Sequence, residues 1–580
     1  MSESETTTAT PRVAPSTFNE RGNQLFEWSL STTLQTDLVV LPVGPEKVLP
    51  VIFVPGIMGS NLKSIPEQEG GKEEEIWRLD AGFRGLPTSL LKRWGARGAG
   101  KRQRELHPQR TTVDNRGAVP TVKSGTVAGS QGELRQRYRD RGWGEVAETS
   151  YHEFLLWLEK TLNSGLPPHK WEHFPAEPEH LTSSKARTPT GEFQYSRTML
   201  KPGQRIAMPG LPGSLRDQLA PVTTDELLAA ANFNMPVHAC GYNWLDSNEV
   251  AAERLAERIN EVIAQYGKRC RQVAIVTHSM GGLVTRRCAQ LPGMAARIAG
   301  VVHGVMPATG AAVAYRRCKL GVKEEDYGVG LVMGSDGKEV TAVFAQAPGA
   351  LQLLPTAEYG MGWLKVTDPK GTVHVCEPTK DPYQDIYLRR DRWWGLVREE
   401  WLSPTDGEGI RWKEYVDNVG LAKSFHKSIK GNYHQNSFVY YGADPAHPTF
   451  SAINWHLEHG GTPIAGRMDA VAVSHLGFDK VTDVGTNPLH AGREKSSHRT
   501  RDGLSIETDT YQWVLRCAMQ DSVGDGTVPA ISGAAPIDTA RAGHVRAQAR
   551  IPGFEHEPSF KHAGAQQFTL YSLIKIASSG

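Results

Sequence analysis

Ser279 lies in Val276-Thr277-His278-Ser279-Met280-Gly281-Gly282, a setting in which a serine hydroxyl can attack an ester carbonyl. The apolar run Gln272–Val276 before it reads as a buried strand, and Gly281–Gln290 after it reads as a helix stopped by Pro292-Gly293. A serine between a strand and a helix sits on a sharp reversal that projects its hydroxyl, and small residues two places before and after it relieve the crowding. Gly281 meets that need, whereas Thr277 stands where glycine is usual. A serine that only caps the following helix has the same local sequence, so the partners decide between the two readings.

The hydroxyl needs a base, the base needs an acid, and the developing oxyanion needs N–H donors. In serine sites on a strand–turn–helix the order along the chain is Ser, acid, His. His556, in Gly553-Phe554-Glu555-His556, follows the last apolar run and is the expected base; His562 falls in or at the terminal helix. Two acids stand out. Asp525 lies in Val523-Gly524-Asp525-Gly526-Thr527-Val528-Pro529, and Asp444 lies just beyond a strand ending at Gly442. Topology alone does not separate them, and either is also a good turn residue. The expected oxyanion donors are the backbone N–H groups of Met280 and of Ile57, the latter in Val54-Pro55-Gly56-Ile57-Met58-Gly59-Ser60.

The elements that must position these groups alternate in type. Val48–Val54, Met235–Gly241, Gln272–Val276, Ile298–Val302, Ser437–Gly442 and Val545–Ile551 read as short buried strands. Between the second and third lies a helix with Val250, Leu255, Ile259, Val262 and Ile263 on one face; Asp246 with Glu249 reads as its capping box, and Gly267 as its end. Phe154, Leu155, Leu158 and Leu162 recur at helical spacing over Tyr151–Leu162, and a last helix starts near Phe560. Alternation of β and α from 235 to 303 predicts a mostly parallel sheet with right-handed crossovers, an α/β architecture.

With 65 basic and 63 acidic residues among 580, the net charge of +2 offers nucleic acid no electrostatic footprint. The six cysteines are scattered and read as mostly free thiols, and no histidines pair at metal-ligand spacing, so neither metal nor cofactor is expected. The start, Met1-Ser2-Glu3-Ser4-Glu5 and a Thr-rich tract, is not a Sec signal peptide, and no run approaches about 18 apolar residues. The chain is expected to be soluble, and to need another machine for export if it acts outside the cell.

Taken together, the blocks resemble a known family. Pro55-Gly56-Ile57-Met58-Gly59-Ser60-Asn61-Leu62 resembles the oxyanion segment of the lecithin:cholesterol acyltransferase and lysosomal phospholipase family. Gly241-Tyr242-Asn243-Trp244 is similar to its Tyr-Asp-Trp segment, with Asn for Asp, and Gly524-Asp525-Gly526-Thr527-Val528 matches its acid loop. The resemblance implies the α/β-hydrolase fold with large cap or lid insertions, and it favours Asp525 over Asp444. Two subgroups fit: the GPI inositol-deacylase-like lipases and the bacterial type VI secretion lipase effectors. The soluble chain without a signal peptide favours the effector. The resemblance then implies a Ser279-Asp525-His556 phospholipase acting on membranes of a rival bacterium or a host, with a cognate immunity protein and a secretion carrier as partners. An inositol deacylase or acyltransferase with the same triad is the runner-up. A binding protein that kept the fold but lost catalysis is the alternative of another class, and the intact Ser, Asp and His argue against it.

Residues 1–20, rich in Ser, Thr and Pro, read as disordered, and 21–580 as one catalytic domain with insertions at about 63–235 and 308–435. Trp363, Trp393, Trp394, Trp401 and Trp412 in the second insertion either rest on lipid or pack a local core. The basic run from Lys92-Arg93 to Arg104 either touches anionic head groups or is a solvated loop.

Overall fold

The short apolar runs pair with one another into one six-stranded sheet. Its strands are β1 (Val51–Val54), β2 (Val237–Ala239), β3 (Val273–His278), β4 (Ile298–Gly304), β5 (Ser437–Gly442) and β6 (Val545–Ile551). They lie in the order β2-β1-β3-β4-β5-β6, and every neighbouring pair is parallel. The computed structural model describes residues 46–66, 71–78, 94, 97–120, 131–163, 219–220, 222–325, 330, 332–404, 408–461, 468–499 and 505–579, with four short strands within 12–40.

Parallel strands are covered on both faces, which is why β1 is apolar throughout and β3 is buried along its whole length and apolar from Val273 to Val276 rather than alternating. Helices α1 (Glu153–Asn163) and α4 (Ala563–Ser578) pack Phe154, Leu158, Leu570 and Ile574 against Phe53, Val276 and Phe438. On the other face, α2 (Asn248–Tyr266) and α3 (Gly281–Cys288) bring Leu255, Ile259 and Leu283 onto Ile52, Val54 and Ile275. Each such side chain contributes about 1.5–3 kcal/mol on burial.

The α2 cap differs from the sequence reading by one residue. Ser247 accepts the Glu249 N–H at 3.2 Å, while the Asp246 carboxylate turns to the Ser247 N–H at 2.7 Å. Glu249 is thereby left to bind Arg287 Nε at 2.7 Å. Val250 is exposed, because nine residues at 100° each set it opposite Ile259 on the helix. Gly267 ends α2 with φ of +58°, as a C-terminal glycine does.

A second, mixed sheet lies outside the first and has its own core. Leu364–Thr367 and Val373–Glu377 come from the insertion at 308–435, but Ile453–His459, Val481–Thr482, Leu489–Arg499 and Ser505–Cys517 come from the connection between β5 and β6. Trp363, Trp393 and Trp394 are buried around this sheet with Trp455, Trp412 packs against it half-buried, and Trp401 is buried beside Lys319 and Arg398. The Trp393 and Trp394 indoles donate to Val473 O and Ser474 O at 3.0 and 3.1 Å. These rings therefore form a local core rather than a lipid-facing surface. In the basic run, Arg102 is buried and donates to the carbonyls of Trp94, Arg97 and Val332, while Lys92 and Arg93 lie outside the described residues. Of the segment 1–20, Arg12–Val13 and Ser16–Phe18 form short strands and the rest lies outside the described residues. Among the described residues no helix is long and apolar enough to cross a membrane.

Among the described residues six histidines are buried: His152, His238, His278, His303, His426 and His434. Desolvation pushes His278 and His303 down to about 3 and His426 down to about 4. Above the ordinary value of about 6.5 they are neutral whether folded or unfolded. As pH falls from 6.5 towards 4, the unfolded chain takes up protons that the folded chain refuses, so stability drops by about 1.4 kcal/mol per pH unit for each histidine. Urea titrations from pH 7 to 4.5 are expected to show a steep loss beginning near 6.5; a flat midpoint over that window would contradict the burial of these rings.

Candidate active site

The strand order reverses at β1, whose neighbours β2 and β3 are reached in opposite directions. In a parallel sheet such a switch leaves a crevice beyond the carboxyl ends of the strands concerned. Ser279 directly follows β3, and the Pro55–Ser60 turn directly follows β1. The register sets Thr277 beside Val54 on β1 and beside His303 on β4.

Ser279 holds φ of +51°, a conformation that a side chain normally avoids. It is fixed there by Ser279 N–H to Gly304 O and Gly282 N–H to Ser279 O, both 2.9 Å. Met58 and Val305 are the other non-glycine residues with positive φ among the described residues, and both flank the same crevice. Strain gathered at one place is characteristic of functional sites. A Cβ at Gly281 would lie 2.5 Å from both Val54 O and Pro55 O, so α3 approaches β1 closely only because glycine is there. Gly281→Ala is expected to destabilise the protein by about 1–3 kcal/mol, read as a lowered unfolding midpoint; an unchanged midpoint would contradict this packing. Thr277 is accommodated within the sheet, its hydroxyl 3.3 Å from His303 Nδ1.

The structure brings Ser279, His556 and Asp525 together. Ser279 Oγ lies 2.8 Å from His556 Nε2, and His556 Nδ1 lies 2.9 Å from Asp525 Oδ2. With Nδ1–H donated to the carboxylate, Nε2 is the acceptor that faces the serine hydroxyl. Asp525 is buried, and its Oδ1 accepts the N–H groups of Thr527 and Val528 at 3.1 and 2.7 Å. His556 N–H also donates to Asp525 O at 2.7 Å, so the acid and the histidine loop are joined by backbone as well as side chain. His562 precedes α4 and packs its ring 5.3 Å from that of Phe554.

Asp444 lies at the same strand end but does a different job. A Cβ at Gly442 would meet Asp525 Cβ at 2.6 Å, and Asp444 pairs across strands with Gly524. The connection after β5 thus travels out to the second sheet and returns its Gly-Asp-Gly loop to the end of β5. Asp444 accepts N–H from Ala446 and Gly553 at 2.8 and 2.7 Å, bonds that hold its carboxyl below the usual range and tether the loop leading to His556.

The turn after β1 is braced on every side. Tyr242 Oη donates to Pro55 O at 2.9 Å, Gly56 N–H to Tyr151 Oη at 3.2 Å, Gly59 N–H to Gly56 O at 3.1 Å, and Trp77 Nε1 to Met58 O at 2.8 Å. The Gly56 carbonyl is turned towards Gly59, so the N–H of Ile57 across the same planar peptide points the other way. Neither Ile57 N–H nor Met280 N–H has an acceptor among the described residues. A Cβ at Gly56 would lie 3.0 Å from Ser279 Cβ, which shows how near this turn passes to the serine. Asn243, standing for Asp in the resemblance, donates to Pro108 O and Thr111 O at 2.8 and 3.0 Å and carries none of the triad.

Sequence reading missed Trp77, Tyr151 and His278 as parts of this site. His278 is visible in the serine motif itself, but Tyr151 lies in a single π-turn, Glu148–His152, ahead of α1 and has no local signature. Among the described residues no group of three or more His, Cys, Asp or Glu is arranged to hold a metal ion.

No protein-family model matches the chain, and no curated protein matches it in sequence. Among solved structures it is similar to a chain of "The crystal structure of Tle4-Tli4 complex", with 28% identity and a TM-score of 0.64. That likeness covers 91% of this chain and 98% of the other. Phospholipase PlaB from Legionella pneumophila matches over 49% of this chain and 83% of its own at 12% identity, and its TM-score of 0.15 carries no weight.

Proposed function

We propose that this chain is a serine phospholipase of the α/β-hydrolase fold, delivered by a type VI secretion system and held harmless in its producer by a cognate immunity protein. The observation that carries the ester chemistry is the hydrogen-bonded row Ser279–His556–Asp525 beside two backbone N–H groups that have no acceptor among the described residues. Delivery and the immunity partner rest on the likeness to the Tle4–Tli4 complex, Tle4 being a type VI lipase effector. The lecithin:cholesterol acyltransferase-like motif blocks support the same acyl-ester chemistry. Residues 21–580 act as one catalytic domain in this reading, the second sheet being an elaboration beside the crevice.

In the reaction, His556 Nε2 takes the Ser279 proton as Oγ attacks the acyl carbonyl of a membrane phospholipid. The N–H groups of Ile57 and Met280 hold the resulting oxyanion, and Asp525 stabilises the imidazolium. The intermediate collapses, the ester C–O bond breaks, and His556 returns the proton to the lysophospholipid alkoxide. Water, deprotonated by His556, then attacks the acyl-serine, releasing fatty acid and restoring Ser279.

Vesicles of defined phosphatidylethanolamine and phosphatidylglycerol, carrying different acyl chains at the two positions, test the substrate class. Free fatty acid and lysophospholipid are expected products by mass spectrometry. Release of head group with diacylglycerol or phosphatidic acid, or no turnover at all, would overturn the reading. Directing the protein to the periplasm of a susceptible bacterium is expected to lyse the cell unless a cognate immunity protein is co-expressed.

A further inference from the structure

A chain of three hydrogen bonds, two buried and the third partly so, runs beneath the proposed catalytic groups. Gly56 N–H donates to Tyr151 Oη at 3.2 Å, Tyr151 O–H faces His278 Nδ1 at 3.0 Å, and His278 Nε2 faces His556 O at 3.0 Å. Its two ends lie in segments that must be aligned for acyl transfer: the turn carrying Ile57 and the loop carrying His556. Its middle member is covalently next to Ser279.

We propose that Tyr151 and His278 are positioning residues that fix the oxyanion turn and the histidine loop relative to Ser279; this rests on the reading of Ser279 as the nucleophile. Donors and acceptors match in only one sense. Tyr151 accepts from Gly56 and donates to Nδ1, so His278 must carry its proton on Nε2 and donate it to the His556 carbonyl. Burial, with His556 nearby, pushes His278 down to about 3, so the ring is neutral when the enzyme works and keeps this arrangement. His556 is then tied through both sides of its backbone, N–H to Asp525 and C=O to His278. Removing the second tie leaves the loop held on one side.

Packing alone does not demand the hydroxyl. Tyr151 sits among apolar rings, 4.8 Å from Phe53, with Phe560 5.9 Å from His278. A phenylalanine would fill that space equally well, and Gly59 leaves room, since a Cβ there would lie 2.6 Å from Tyr151 Oη. If the residue only fills volume, Tyr151→Phe is silent in catalysis.

The test is kcat and KM on a soluble p-nitrophenyl ester, expressed per active site counted with a fluorophosphonate, for Tyr151→Phe, His278→Gln, His278→Leu and the Tyr151→Phe/His278→Leu double variant. Tyr151→Phe is expected to lower kcat about tenfold to hundredfold per active site, with KM within about threefold and the unfolding midpoint modestly lowered, because Gly56 N–H and His278 Nδ1 lose a buried partner. His278→Gln, which retains an N–H donor, is expected to lose less than His278→Leu. The double variant is expected to be no worse than His278→Leu alone, because both changes break one chain. Full kcat in Tyr151→Phe, or losses that multiply in the double variant, would overturn the relay. Should His278→Leu not fold, Tyr151→Phe, which removes one oxygen, decides. Activity persisting in Ser279→Ala would instead remove the nucleophile reading on which the relay rests.

Discussion

Ser279→Ala is expected to lower the release of fatty acid from phospholipid vesicles by about 10⁴- to 10⁶-fold while leaving the protein folded. The magnitude follows from what is lost. Without Oγ, His556 has no proton to take, no acyl-enzyme forms, and only the oxyanion donors and substrate binding remain to help water attack. The fold should be insensitive, because the bonds that hold the elbow, Ser279 N–H to Gly304 O and Gly282 N–H to Ser279 O, are made by backbone. Alanine at φ of +51° is no more strained than serine. Circular dichroism and the unfolding midpoint check the fold; hydrolysis within tenfold of wild type would contradict the assignment.

The second large effect separates the two acids. Asp525→Asn is expected to lower kcat about 10⁴-fold, because an amide can donate to Nδ1 and so place the proton on Nε2, where it faces the serine instead of accepting from it. Asp444→Asn is expected to change kcat by less than about tenfold. Asp444 touches the backbone of Ala446 and Gly553 rather than the imidazole, and its effect should appear as a lowered unfolding midpoint. Steady-state kinetics on a soluble ester would show it: equal losses, or the larger loss at Asp444, would contradict the placement of Asp525 against His556.

The difficulty of choosing between these acids from sequence has a physical origin. They lie at one strand end, with Asp444 opposite Gly524, because the chain leaves β5, builds most of a second sheet and returns. No local pattern reveals that return. By contrast, the main sheet is legible because strands such as Val51–Val54 are buried on both faces and are continuously apolar. The second sheet carried a fainter signal. Ile453, Trp455 and Leu457 point inward while Asn454, His456 and Glu458 do not, an alternation masked by its polar members. The tryptophans at 363, 393 and 394 were read as a choice between lipid and core, and only their contacts with this unseen sheet decide for core. Tyr151 was hidden for a related reason: its partner His278 is 127 residues away, and a single π-turn leaves no periodicity.

Covalent capture of the acyl-enzyme tests the central claim most directly. Acid-quenching the protein during turnover of a slowly hydrolysed phospholipid analogue, then digesting it and sequencing by mass spectrometry, is predicted to show one acyl adduct, on Ser279. The adduct should be absent from Ser279→Ala. Turnover with no adduct on any residue, or an adduct on a residue other than Ser279, would contradict the account.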